Sequence, residues 1–323
     1  MDVSQTSFDA ASAKLSASTV GYFPDPYLPH LVPTDKRRRY DPVMHRGYYL
    51  RVHLVRYCID QFIQRYPQHK IQIVNVGCGV DSLFLHYLLD PSFSNLTWLE
   101  LDLPSIVKEK CTSIIKHWKN ELQLVKSRSV YGRELHGPRY HLISGDITAS
   151  ESLTHCLSFI DHQQPTLFLF ECVVTYLDPD NMNDSLSKIS EQFQKCYCFL
   201  YDPFRSHTTF GTIMLRNISA RVSSSCPSLQ RYKTLVDFKQ RMCNVGFKWV
   251  VAGDLLTMEK SVVDEKEIAR LLKLEPFAEV EEYQMLLSHY CVIVAGNDLD
   301  NGLITFGLEQ VSLMDDKPGY SIC

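Results

Sequence analysis

Two glycines and a series of acidic side chains stand where apolar segments of this chain end. Gly77 and Gly79 directly follow the apolar run Ile71–Val76. Glycine lets the backbone turn sharply and approach a ligand closely, so the pair predicts a ligand-binding turn at the start of a helix. A dinucleotide fingerprint would need a third glycine where Ser82 stands, which argues against a nicotinamide cofactor. A tight turn without any ligand would show the same two glycines.

An acidic residue closes the second apolar run. Asp102 ends the segment Leu96–Asp102, about 25 residues after the first glycine. A carboxylate at such a place can accept hydrogen bonds from both ribose hydroxyls of a nucleoside. Glu100 points to the same face two residues earlier, but Asp102 is better placed because the strand ends before Pro104. A solvated strand end is the alternative interpretation of either carboxylate.

Acidic side chains also follow the next two apolar runs. Asp146 and Ile147 come after the third run, where the carboxylate suits the exocyclic amine of an adenine and the isoleucine suits its ring. A simple helix cap would also explain this aspartate. Glu171 comes directly after the fourth run, where a carboxylate needs a partner such as a cationic ligand head. Tyr176 lies five residues further on, in a loop expected to face the same ligand.

These residues need a scaffold that brings the ends of successive strands together. Seven apolar runs alternate with helical segments, which predicts an α/β fold with a mostly parallel, seven-stranded, Rossmann-like sheet covered on both faces. In such sheets, ligands bind beyond the carboxyl ends of the strands. The predicted strands are Ile71–Val76, Leu96–Asp102, Tyr140–Ser144, Thr166–Phe170, Cys198–Tyr201, Lys248–Ala252 and Tyr290–Ala295.

The chain divides into three parts by composition. Residues 1–20 are small and polar, and we expect them to be flexible. Residues 21–300 form a single domain that starts with a helical segment, and residues 301–323 form a C-terminal tail. The segment 203–227 does not fit the alternation of strands and helices. We expect this insert and the N-terminal segment to form a lid over the carboxyl ends of the strands.

Composition excludes several classes of protein. The 323 residues contain 33 basic and 37 acidic side chains, a formal net charge of −4, with 45% hydrophobic residues. These values exclude a disordered, collagen-like or coiled-coil chain and show no overall basic charge for nucleic acid. One basic run, residues 36–39, is either a solvated loop or a contact for an acidic partner.

Cysteine usage and the absence of leader sequences point to the cytoplasm. The eleven cysteines are odd in number and contain no C-x-x-C, so we expect buried, reduced thiols. No secretory signal or membrane span is visible, since the most apolar run, residues 166–177, is too short and contains Glu171. No metal-binding signature occurs among the twelve histidines, and we expect no metal.

Six short blocks spread over most of the chain carry a family resemblance. They are Gly21-Tyr22 with Asp25-Pro26-Tyr27, Arg46-Gly47-Tyr48 with Arg51-Val52-His53, Gln72-Ile73-Val74-Asn75, Glu100 with Asp102, Glu171-Cys172-Val173 with Tyr176, and His289-Tyr290-Cys291. With these blocks the chain resembles class I S-adenosylmethionine-dependent methyltransferases, and among them the leucine carboxyl methyltransferases that act on type 2A protein phosphatases. The resemblance implies a class I methyltransferase fold.

The resemblance also implies a role for each candidate site residue. S-adenosylmethionine would be the cofactor and S-adenosylhomocysteine its product. At the methionine end, Arg51 would hold the carboxylate and Glu171 would lie near the amino group. Gly77 would line the methionine and ribose, and Asp102 would bind the ribose hydroxyls. Asp146 and Ile147 would frame the adenine, and Lys14 would contact the cofactor. Arg51 and Tyr176 are the candidate positioning groups near the acceptor. If Arg51 is committed to the cofactor, Tyr176 or another arginine must hold the substrate.

The implied reaction is methylation of the C-terminal leucine carboxylate of the protein phosphatase 2A catalytic subunit, which yields a methyl ester. That carboxylate is ionised at neutral pH, so no general base is required. The phosphatase subunit would be the partner of a monomeric enzyme that binds neither nucleic acid nor membrane. Two alternatives stay open. One is the related tRNA wybutosine-pathway carboxyl methyltransferase, whose added repeat domain 323 residues leave no room for. The other is a non-catalytic phosphatase-binding module.

Overall fold

A single mixed sheet forms the centre of the molecule. The computed structural model describes residues 4–222, 225–300, 303–308 and 315–323. Within this part of the chain, ten strands form one sheet in the order β10-β8-β9-β7-β6-β1-β2-β5-β4-β3. The strands are β1 Ile71–Val76, β2 Leu96–Asp102, β3 Val125–Ser129, β4 Gly132–His136, β5 Tyr140–Ser144, β6 Thr166–Glu171, β7 Cys196–Pro203, β8 Trp249–Asp254, β9 Tyr290–Gly296 and β10 Gly319–Ile322.

The strands β1, β2, β5, β6 and β7 pair in parallel, and the remaining pairings are antiparallel. Helices cover both faces. They are α1 Ser4–Val20, α2 Leu28–Leu31, α3 Pro42–Arg65, α4 Leu83–Leu88, α5 Pro104–Trp118, α6 Ser150–Leu157, α7 Pro179–Gln192, α8 Thr209–Val222, α9 Pro227–Arg231, α10 Leu235–Asn244, α11 Leu255–Val262, α12 Glu265–Leu272 and α13 Val280–Leu287. No helix in these ranges is long and apolar enough to span a bilayer.

Alternate residues of the central strand β1 serve two separate cores. Ile73 packs with Ile59 and Phe62 of α3 on one face of the sheet. Val74 packs with Leu186 and Ile189 of α7 on the other face. Because both faces are buried, apolar residues of the strand point to either side of the sheet, and even the polar Gln72 and Asn75 are buried. The predicted α/β fold is confirmed, and the five central strands are parallel as expected. In the whole sheet, however, five of the nine pairings between described strands are antiparallel, so the sheet is mixed and not mostly parallel.

The predicted number of seven strands was wrong. All seven predicted strands are present, but a hairpin (β3 and β4) and a C-terminal strand (β10) extend the sheet to ten. The side chains of β3 are mostly exposed, including Val125 at 67% exposure, so this strand carries little apolar signal in the sequence.

The expectation that residues 1–20 are flexible was also wrong for the described part of that segment. Residues Ser4–Val20 form α1, which packs along α3, and residues 1–3 lie outside the described residues. Ala13 and Ala17 are fully buried, and the Ser16 hydroxyl lies 2.7 Å from Nε2 of His45. Small side chains let two helices approach closely, so this helix buries a face that lacks the usual apolar stripe.

The described parts of the predicted C-terminal tail, residues 303–308 and 315–323, belong to the domain, whereas residues 301, 302 and 309–314 lie outside the described residues. Ile304 and Phe306 are buried in the main core, and β10 pairs with β8. This pairing brings Cys323 to Cys243 of α10, and the two form a disulfide. The expectation of reduced thiols was therefore wrong for these two cysteines, which are 80 residues apart in the sequence. The other nine cysteines form no disulfide, and eight of them are buried.

Candidate functional site

A cavity of about 470 Å³ opens at the carboxyl ends of β1, β2, β5 and β6. The end of each of these strands supplies lining residues, and so do α1, α3 and α8. Both segments predicted to form a lid therefore face the cavity, whereas their closure over a ligand stays a prediction. The predicted site residues Lys14, Arg51, Gly77, Asp102, Asp146, Ile147, Glu171 and Tyr176 all line this one cavity.

The glycine turn after β1 forms the floor of the cavity. Gly77 and Gly79 have φ angles of +64° and +53°, a region that favours glycine. A Cβ atom on Gly77 would lie 2.4 Å from Cγ2 of Val173. The backbone at Gly77 is therefore held close to the loop that follows β6, and a side chain would fill the space between them.

Asp102 borders the cavity from the end of β2. Its carboxylate accepts hydrogen bonds from the backbone N–H of Gly79, at 2.6 Å, and of Leu103, at 2.7 Å. Burial raises the pKa of Asp102, although these two N–H groups oppose the shift. Glu100, the alternative in the sequence, does not line the cavity; it is buried beside Lys110, at 2.7 Å from Nζ. Asp102 is thus the strand-end carboxylate that a ligand can reach.

The turn after β5 supplies an apolar and a polar group. Ile147 is buried and lines the cavity together with Leu103 and Ile106 from the start of α5. Asp146 is exposed, and its Oδ1 accepts hydrogen bonds from the backbone N–H and hydroxyl of Thr148. The aspartate thus stabilises its own turn while it borders the cavity. The three aliphatic side chains provide a surface against which a flat ring can pack.

A cluster of alternating charges closes the other end of the cavity. Nζ of Lys14 lies 2.5 Å from Oδ2 of Asp81 and 2.7 Å from Oε1 of Glu171. The Arg51 guanidinium donates a hydrogen bond from Nε to the same Glu171 oxygen. All four side chains are at most 15% exposed.

In this cluster, burial and charge pairing shift the pKa values of the side chains in opposite directions. Burial by itself would raise the pKa of Glu171, but the Arg51 and Lys14 cations hold it below its usual value. Burial would likewise lower the pKa of Lys14, but the Asp81 and Glu171 carboxylates raise it. All four groups are therefore ionised at neutral pH, and each can exchange a partner within the cluster for a ligand of opposite charge.

Three tyrosines surround the part of the cavity beyond this cluster. Tyr176 ends a short 3-10 helix (Val174–Tyr176) after β6, Tyr48 lies on α3, and Tyr290 begins β9. Burial raises the pKa of all three phenols above the usual value. Their hydroxyls therefore stay protonated at neutral pH and can donate hydrogen bonds to an anionic group.

Sequence reasoning missed several residues of this site. Asp81, which holds Lys14, lies four residues after Gly77 and had no strand-end signal of its own. Tyr48 and Tyr290 belong to the blocks that carry the family resemblance, which was the available signal. Arg221 of α8 lines the cavity from the insert, where the resemblance is poorest. No group of three metal-ligating side chains occurs among the described residues.

Comparison with known proteins adds independent findings. A family model described as leucine carboxyl methyltransferase matches residues 4–190. The chain is 31% identical over 300 residues to a leucine carboxyl methyltransferase 1 homolog of Arabidopsis thaliana, which covers 92% of this chain and 89% of that protein. It is 29% identical over 310 residues to leucine carboxyl methyltransferase 1 of Bos taurus, covering 92% and 91%.

Other relatives have a name that refers to tRNA modification. The tRNA wybutosine-synthesizing protein 4 of Rattus norvegicus is 28% identical over 305 residues, which span 91% of this chain but 44% of that protein. Among solved structures, a putative methyltransferase from Thermobifida fusca superposes with a TM-score of 0.52 at 10% identity, covering 91% of this chain and 94% of that one. This structural likeness extends over nearly the whole domain and supports a methyltransferase-type fold.

Proposed function

The chain belongs to the leucine carboxyl methyltransferase family, and we propose that it methylates the C-terminal leucine carboxylate of the protein phosphatase 2A catalytic subunit with S-adenosylmethionine. Membership of the family supports a methyltransferase that acts on a carboxyl group. The phosphatase as acceptor rests on the resemblance described above. The arrangement of the cavity carries the rest of the proposal.

The nucleoside end of the cavity fits the cofactor. Asp102 would accept hydrogen bonds from the ribose hydroxyls, since each of its oxygens holds one backbone N–H and keeps a second lone pair. Ile147 and Ile106 would pack on the adenine ring, and Asp146 would accept from its amine. Gly77 would line the methionine and ribose with its backbone, which lies so close to Val173 that a Cβ atom at this position would clash with that side chain.

The charged cluster fits the amino-acid end of the cofactor. An α-amino acid group carries one ammonium and one carboxylate, and the cluster offers both complementary charges within a few ångströms. Glu171 would hold the ammonium, while Arg51 and Lys14 would hold the carboxylate. When bound there, S-adenosylmethionine supplies a methyl group on a sulfonium sulfur, which keeps the electron pair when the methyl group leaves.

The type of reaction is supported most directly by the three tyrosines beyond the charged cluster, a part of the cavity that we call the acceptor end. Tyr48, Tyr176 and Tyr290 are protonated donors, so they suit an acceptor oxygen that is already anionic. A carboxylate needs no deprotonation before it attacks at neutral pH. An amine or an alcohol would instead require a group that removes its proton. The acceptor end thus favours a carboxylate, and its product is a methyl ester.

Positioning and exclusion of water would supply the rate. Well-oriented reactants gain roughly 7–11 kcal/mol over the same reactants free in solution. The tyrosines would orient the acceptor oxygen, and the residues of α1 and α8 that line the cavity would exclude water from it. Loss of its hydration shell makes the carboxylate a better nucleophile.

The proposal is tested with methyl-labelled cofactor and purified phosphatase core enzyme. We expect label on the catalytic subunit that becomes volatile after brief treatment with alkali, because esters hydrolyse to methanol. The same acceptor without its terminal leucine serves as the control and should stay unlabelled. Label that survives alkali would exclude a carboxyl ester, and label on the truncated acceptor would exclude the terminal leucine.

The similarity to tRNA wybutosine-synthesizing protein 4 supports a second candidate, carboxyl methylation of a modified tRNA base. Parallel incubations with tRNA separate the two candidates. Alkali-labile label on tRNA, together with an unlabelled phosphatase, would favour this second candidate. The formal net charge of −4 favours the protein acceptor, because a tRNA substrate normally selects a basic surface.

A further inference from the structure

We propose that Arg221, near the end of α8, receives the carboxylate of the acceptor at the cavity mouth. This inference rests on the proposed function, since it concerns how a C-terminal carboxylate reaches the tyrosines. It assigns a role to the insert between β7 and α10. It also identifies an arginine that can bind the acceptor carboxylate while Arg51 holds the carboxylate of the cofactor.

The charges around the cavity favour such a group. The lining carries three cations and five carboxylates, a formal excess of two negative charges. The charged lining residues are Lys14, Arg51, Arg221, Asp9, Asp81, Asp102, Asp146 and Glu171. An anionic acceptor that enters this cavity is repelled unless a cation is available to it.

Two of the three cations are already paired. Lys14 lies between Asp81 and Glu171, and Arg51 donates to Glu171. Arg221 is exposed and forms no ion pair and no side-chain hydrogen bond with any residue that the structure describes. Its guanidinium is therefore the lining cation that is open to an incoming carboxylate. A guanidinium can bind both oxygens of a carboxylate at once.

The surroundings of Arg221 match the rest of a leucine residue. Ile218, three positions earlier on α8, and Val222 also line the cavity. Ile218 and Tyr176 pack against the small apolar cluster that contains the buried Val222. Leu177 lines the same region. An aliphatic surface beside an unpaired cation is what the isobutyl group and carboxylate of a terminal leucine require.

Steady-state kinetics of the full chain with phosphatase core enzyme test this role. Arg221→Gln should raise KM for the acceptor by about tenfold or more, as expected for loss of a charge-assisted contact, with KM for the cofactor unchanged. Arg216→Gln is the matched control, because Arg216 is exposed on the same helix but does not line the cavity. Arg221→Lys should give an intermediate KM, since lysine keeps the charge but not the planar fork.

A second measurement separates charge recognition from a structural effect. The acceptor KM of the unmodified chain and of Arg216→Gln should rise with added salt, whereas that of Arg221→Gln should respond weakly. An acceptor KM for Arg221→Gln equal to that of Arg216→Gln would overturn the inference, as would an equal rise in the cofactor KM. If the unmodified chain forms no methyl ester at all, the proposed function fails and this inference fails with it. If Arg221→Gln forms the ester as well as Arg216→Gln does, the role of Arg221 alone is refuted.

Discussion

A buried carboxylate beside the short helix that carries Tyr176 offers a direct test of the electrostatics of this domain. Asp202 of β7 is 1% exposed, and its Oδ1 accepts a hydrogen bond from the backbone N–H of Thr175 at 3.2 Å. Its Oδ2 has no hydrogen-bond partner among the residues that the structure describes. Burial raises the pKa of Asp202 to about 7, although the Thr175 N–H and the cations Arg241 and Arg51 oppose the shift.

This shift predicts that Asp202→Asn stabilises the protein at alkaline pH. Between the unfolded pKa of 3.8 and the folded pKa of about 7, the folded state holds the proton more tightly than the unfolded state. Stability therefore falls as the pH rises through this window. The difference of about three pKa units, at about 1.4 kcal/mol for each, corresponds to roughly 4 kcal/mol.

Asparagine keeps an oxygen for the Thr175 N–H but carries no charge at any pH. The gain in the free energy of unfolding should be roughly 2 kcal/mol near pH 5 and about 4 kcal/mol near pH 8. Denaturant unfolding of the variant and the unmodified chain at both pH values measures this gain. Asp184→Asn, a change of an exposed carboxylate on α7, is the control and should show no such dependence on pH. A gain that does not grow between the two pH values would refute the reasoning.

Three further predictions concern the cofactor cavity. Asp102→Ala should weaken cofactor binding in calorimetry by more than about tenfold, because it removes a charged acceptor, while circular dichroism shows a folded protein. Unchanged affinity would assign Asp102 to the structure of the turn alone. Gly77→Ala should reduce cofactor affinity at least as much, since the new Cβ meets Val173 at 2.4 Å; normal binding would show that the loop yields easily. Arg51→Lys should leave a soluble protein that transfers little methyl label, because an ammonium cannot reproduce the planar fork with which a guanidinium can bind both oxygens of a carboxylate. Near-normal turnover would contradict that geometry.

Much of the site could be predicted because parallel strands end at a common edge. Gly77, Asp102, Ile147 and Glu171 each lie at the end of a different apolar run, and the parallel pairing of these strands brings their carboxyl ends to one edge. The sequence therefore indicated both the fold class and the cavity. It also separated this turn from a dinucleotide fingerprint, because Ser82 stands where the third glycine would be; the Ser82 side chain is fully buried and donates a hydrogen bond to Asp25.

The parts that could not be predicted depend on contacts between distant segments. The helix α1 is rich in small and polar residues, and its place in the fold depends on packing against α2, α3, α5 and α8. The strand β10 and the disulfide to Cys243 depend on an edge of the sheet formed about 70 residues earlier. Local propensity carries no information about such partners, because their free energy arises only when both segments are folded.

The sequence by itself determined that this protein has a parallel α/β core, a ligand cavity at its carboxyl edge and the acidic residues that line it. Only the tertiary structure decided how the charges are shared. Lys14 and Asp81 lie 67 residues apart, yet their pairing commits that lysine to the inner cluster. Arg221 is exposed and lines the same cavity from α8, but Asp81 and Glu171 pair with Lys14 and Arg51 and not with it. Electrostatic roles depend on distance and burial, and both exist only in the folded chain.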